Sequence, residues 1–130
     1  MVSRPYQRQG FTLIELIVVL AIIALLASLV APRYQRSVDN AREATLRTSL
    51  NTMRDAIDKY AADKGRYPDS LEEMVKAGYL RQIPQDPITG RSDSWLMLPP
   101  PPDSAVTGRM ADVRSGASMR GQDGTAFNTW

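Results

Sequence analysis

The chain has 130 residues, enough for one small domain beside whatever its N-terminus forms. It contains no cysteine and no histidine, which removes disulfides, the usual zinc ligands and the commonest general base and nucleophile. A formal net charge of +2 falls to neutrality once the segment carrying Arg4 and Arg8 is set aside, which argues against a nucleic-acid binder driven by bulk charge.

Apolar residues make up 43% of the chain but are unevenly placed. Residues 11–31 form one apolar block, broken only by Thr12, Glu15 and Ser28. At about 1.5 Å per residue it spans about 30 Å, one hydrocarbon thickness. The block is too long for a secretory signal, and the best-placed cleavage candidate, after Ala31, is followed by Pro32. Residues 16–27 are apolar on every side, so an amphipathic surface helix is excluded. A plain membrane anchor explains the length, and Arg4 and Arg8 then place the N-terminus in the cytoplasm. It leaves Glu15 without a reason, because a carboxylate in an apolar helix costs on the order of 2.5–3.5 kcal/mol and calls for a partner.

The string Gly10-Phe11-Thr12-Leu13-Ile14-Glu15, running into the apolar block, resembles the type IV prepilin motif. That resemblance implies a cut between Gly10 and Phe11 by a prepilin peptidase that also methylates the new amine. Residues 1–10 are then a leader, and Phe11 becomes the N-methylated first residue. Glu15 matches the glutamate that the family carries four residues further on. The cut creates an α-amine at a helix N-terminus, where positive charge adds to about half a unit of dipole charge. An acid one turn away answers it, in its own chain or in a staggered neighbour; the family's proposal is a neighbour. In a low-dielectric bundle an unpaired charge is penalised, so the pair selects an axial register.

Pro32 falls inside what reads as a continuing helix, where proline removes a donor and bends or loosens the preceding turn. The same family commonly has a proline at the matching place; the other reading is that Pro32 ends the anchor. From Arg33 to about Asp63 the pattern is amphipathic. Leu46, Leu50, Met53, Ile57 and Tyr60 recur at helical spacing, and Val38, Ala41 and Thr45 extend the stripe upstream. Arg36, Asp39, Glu43, Arg47, Asp55, Asp58 and Lys59 form a solvated opposite face. Gly65 stops the helix, which runs from roughly Thr12 to Lys64 over about 75–80 Å. Its first half has no core within the chain, so outside lipid only other copies cover it.

In the head, Ser70-Leu71-Glu72-Glu73 is a capping-box pattern that predicts a short helix from about Leu71 to Ala77, stopped at Gly78. Residues 83–90 read as a rigid loop. Ser94 to Leu98 reads as a strand, with Trp95 and Met97 on one side and Leu96 and Leu98 on the other. The prolines at 99–102 block its continuation. A second strand is expected near Arg109–Arg114 and a third near Ala126–Trp130. Together they predict a small antiparallel sheet on the Leu50–Tyr60 stripe, with Trp95, Phe127 and Trp130 as packing residues.

The segments Asp63-Lys64-Gly65-Arg66-Tyr67-Pro68, Gly78-Tyr79-Leu80, Ile83-Pro84-Gln85-Asp86-Pro87 and Asp112-Val113-Arg114-Ser115-Gly116, with Asp123-Gly124 and Trp130, resemble the major pseudopilin of type II secretion. The resemblance covers most of the chain. It implies a calcium site in the last loop, for which Asp112, Ser115 and Asp123 are the candidate ligands here. Calcium takes about 6–8 oxygens, usually with several carboxylates. This chain departs from the family pattern at Ser118-Met119-Arg120 and Thr125-Ala126-Phe127, and Arg114 and Arg120 add positive charge; a glycine-rich turn without metal is the other reading.

The fold expected is α+β, pilin-like: a long N-terminal α-helix with a hydrophobic first half, packed by its C-terminal half on a small antiparallel β-sheet head. Residues 1–10 are the leader, 11–31 the transmembrane and assembly helix, 32–64 its amphipathic continuation and 65–130 the head. The resemblance implies a structural subunit, not an enzyme, that assembles into a homo-oligomeric helical filament in the periplasm and drives protein export. Its implied partners are the prepilin peptidase and methyltransferase, an inner-membrane assembly platform, minor pseudopilins and membrane lipid before assembly; no nucleic acid is expected. The resemblance also implies a single-pass inner-membrane protein with cytoplasmic leader and periplasmic head. No phosphate-binding GxxxxGK[ST] pattern is present, so a separate motor supplies energy. A type IV pilus pilin and a membrane-anchored binding domain are the alternatives: long surface fibres mark the first, an uncut monomer the second.

Overall fold

A computed structural model describes residues 1–2 and 9–130. Arg4 and Arg8 of the expected leader lie outside the described residues. The chain divides into an N-terminal unit, Met1–Val38, and a second unit, Asp39–Trp130.

Helix α1, Leu13–Lys64, supplies residues 13–38 of the first unit and residues 39–64 of the second. Thr12 starts it. Its hydroxyl accepts the Glu15 N–H at 3.3 Å and its carbonyl accepts the Leu16 N–H at 3.1 Å, which satisfies donors left over in the first turn. Pro32 lies inside α1 and does not end it, so no separate element begins there. The large apolar side chains from Phe11 to Val30 are all exposed, from 44% at Val19 to 85% at Phe11. Their 18-residue window reaches a mean hydropathy of 3.0, enough by length and composition for one membrane crossing.

In the second unit, the stripe that the spacing predicts is the wall of the core. Leu46, Leu50, Met53, Ile57 and Tyr60 are buried, and Ala56 joins them. The stripe does not extend upstream as expected: Ala41 and Thr45 are exposed and Val38 is only half-buried. Thr45 instead turns its hydroxyl back to the Ala41 carbonyl at 2.9 Å, as Thr48 does to Ala44 and Thr52 to Thr48. These bonds let three hydroxyls sit on a solvated helix face with their protons satisfied. Gly65 follows the last turn at a φ of 71°, a backbone state that suits glycine, and its N–H closes on Ala61 O at 2.9 Å.

Helix α2, Leu71–Lys76, forms where the capping box places it. Ser70 accepts the Glu73 N–H, while the Glu73 carboxylate returns to the Asp69 N–H rather than to the cap itself. Leu71 and Met74 point into the core. Strand β1, Leu96–Leu98, pairs antiparallel with β2, Asp112–Arg114, with Met97 opposite Val113. Both strands are shorter than expected. Trp95 lies outside β1, so the expected alternation breaks: Trp95 is buried and gives its indole N–H to Pro84 O at 2.8 Å, whereas Met97 stays half exposed. The expected third strand is a 3-10 turn, Phe127–Thr129, preceded by an isolated bridge between Arg120 and Ala126. Phe127 and Trp130 stand three residues apart, a spacing that a three-residue turn brings to one side. Their rings meet edge-on at 4.9 Å. Val113, Met110, Ala117 and Phe127 complete the core against α1 and α2.

Candidate functional site

The processing motif sits at the start of the N-terminal unit. Gln9, Gly10, Phe11 and Glu15 line one hollow of about 190 Å³, so the expected scissile bond and the expected assembly carboxylate face the same space. Every one of these residues is exposed. Among the described residues, a Cβ at Gly10 would meet no atom within 4 Å, so no close packing there demands glycine. Glu15 lies in the first turn of α1, where a carboxylate is favoured by the helix dipole. Thr12 belongs with this set. The Thr12-Leu13-Ile14-Glu15 run is a second S/T-x-x-E pattern, and that spacing before an apolar run was the signal that could have marked the helix start.

The candidate calcium ligands Asp112, Ser115 and Asp123 each bond to different partners. The Asp112 Oδ1 accepts the Arg54 Nε–H at 2.7 Å and its own strand's Val113 N–H at 2.8 Å. Ser115 is fully buried; its hydroxyl donates to the Asp86 carboxylate at 2.5 Å and accepts the Ala117 N–H at 3.1 Å. Asp123 binds the Thr125 hydroxyl and N–H at 2.6 and 2.9 Å, and Arg47 approaches it at 3.6 Å. The Thr125 bonds, with Arg47 adding less, hold the Asp123 carboxyl below its usual range. Among the described residues no group of three or more acidic side chains is placed to share a metal ion. The bonds that Asp112, Ser115 and Asp123 make go to different partners, and the donor set is poor in carboxylates for a hard cation that needs several at once.

Sequence reasoning did not single out Arg54, and it placed Asp86 only within the 83–87 segment, without its structural role. Asp86 is fully buried and ties loop 83–90 to the turn after β2, accepting the Ile88 and Thr89 N–H groups besides Ser115. Gly116 follows in that turn, where a Cβ would fall on the Ser94 carbonyl. Arg54 flanks the core stripe one turn after Leu50, and its helical position beside that stripe was the available signal.

A long exposed apolar helix that starts at a capped motif with a lone acid, and carries a small α+β head, defines a pilin-like protein. Residues 6–31 match the model of the prokaryotic N-terminal methylation motif. The type II secretion system core protein G of Klebsiella pneumoniae is 37% identical over 72% of this chain and 77% of that relative. The same protein of Klebsiella michiganensis is 32% identical over 74% and 78%, and that of Pectobacterium carotovorum 34% identical over 63% of each. The chain belongs to the type II secretion system core protein G family, the major pseudopilins. That family favours a pseudopilin subunit over the type IV pilus pilin and the membrane-anchored binding domain. No solved structure matches.

Proposed function

We propose that this protein is the structural subunit of a type II secretion pseudopilus, cut after Gly10, N-methylated at Phe11, and drawn from the inner membrane into a periplasmic fibre whose growth drives protein export. The observation that carries the reading is the exposure of every large apolar side chain of residues 11–30 next to a methylation motif. Burying each such side chain is worth about 1.5–3 kcal/mol, so the segment is stable in lipid or against its own kind and not in water.

Gly10 supplies the cleavage position and Phe11 the methylated amine. Glu15 meets the amine of a neighbouring copy and so fixes register as copies add. The prepilin peptidase, an inner-membrane platform and minor pseudopilins are the partners this route requires. The family's role is structural, which supports a function in assembly rather than catalysis. Mass spectrometry of the chain extracted from membranes tests the proposal. The expected product begins at N-methylated Phe11; a chain that retains Met1 in a strain with active peptidase contradicts it.

A further inference from the structure

One guanidinium gathers the oxygens of the C-terminal region. Arg54 donates Nε–H to the Asp112 carboxylate at 2.7 Å, and Nη2–H to Val113 O at 3.0 Å and to the Trp130 backbone oxygen at 2.8 Å. A carboxylate and two backbone carbonyl oxygens are the donors a hard cation would collect. Here they converge on an arginine, whose planar fork serves several acceptors at once. The bonds cross 58, 59 and 76 positions of chain, so a single side chain of α1 closes on β2 and on the last turn together.

The surrounding contacts repeat the pattern. Arg47, two turns before Arg54, lies 3.8 Å over the Trp130 ring and 3.6 Å from Asp123. Glu43 accepts the Gln122 N–H at 2.8 Å, and Arg120 donates to Gly124 O at 2.7 Å within the loop. Positive charge of the chain's own thus occupies the loop where a metal would otherwise supply it.

We propose that Arg54 takes the structural place of a divalent cation in this head, with Arg47 as its auxiliary, so that the C-terminal region folds and holds without calcium. One exposed ion pair alone is a weak device, but Arg54 is two-thirds covered and joins three acceptors from β2 and the last turn at once.

The test is thermal unfolding of the full chain in detergent, followed by near-ultraviolet circular dichroism, in about 1 mM EDTA and in about 5 mM calcium. The wild-type midpoint is expected to agree within about 1 °C between the two, and Arg54→Met to unfold about 5 °C or more below wild type in both. Arg54→Lys keeps the charge without the fork, and is expected to lie between the two; it carries the comparison where Arg54→Met does not accumulate. A wild-type midpoint that rises by several degrees with calcium overturns the proposal. So does an Arg54→Lys protein that unfolds at the wild-type temperature.

Discussion

The Glu73 carboxylate accepts the Asp69 N–H, the Tyr60 hydroxyl and the Arg66 guanidinium, each at 2.6 Å. The Asp69 bond most, then those from Tyr60 and Arg66, lower its pKa from 4.5 to about 2. A carboxyl lowered by folding stabilises the folded state above its unfolded pKa, and that contribution is lost as pH falls from about 4.5 towards about 2. Glu73→Gln removes the charge and keeps the shape. It is expected to cost about 1 kcal/mol at neutral pH, with the group's partial exposure keeping the figure small. Urea unfolding at pH 7 and pH 3 checks it: the gap between variant and wild type narrows at the lower pH. The same glutamate was legible beforehand as half of a capping box. Its links to Tyr60 and Arg66 were not, because they depend on where α2 lands against the end of α1.

Helix α1 contains both halves of the molecule's physics. Beyond Asp39 its inner face is a packed wall, with Leu46, Met53 and Ile57 fully buried and Leu50 nearly so. Truncating such residues leaves a cavity that the rigid helix cannot close. Leu50→Ala is expected to destabilise the head by about 2–5 kcal/mol, read as a lowered denaturation midpoint, whereas Ala41→Ser on the exposed upstream face changes it by less than about 0.5 kcal/mol. The helical period made this wall readable from spacing alone. It could not say where the wall starts, since that depends on how far the head covers the helix. The strands and the last turn were harder to read, because three-residue elements carry too few side chains to show a period. Phe127 and Trp130 fit a strand's composition but pack as a turn. The candidate calcium ligands were chosen by residue type, and geometry sent each to a different partner.

At the scale of the whole molecule, the chain has one part that satisfies itself and one that does not. The head buries its own core and leaves no buried side-chain polar atom without a partner among the described residues. The N-terminal segment exposes its apolar surface on all sides and keeps one acid in its first turn. This asymmetry, with the methylation motif, was plain in the sequence, and it fits the structural role of a pseudopilin subunit. Because the chain has no cysteine, a single one introduced at Leu20 reports on that segment alone. The decisive measurement is disulfide cross-linking of Leu20→Cys chains in cells that express the secretion machinery. Copies are expected to cross-link to one another, and the ladder is expected to fade when Glu15→Leu or a processing-blocked Gly10→Val is added while membrane insertion persists. Leu20→Cys chains that stay solitary, or that cross-link equally well without Glu15 and without cleavage, contradict the account.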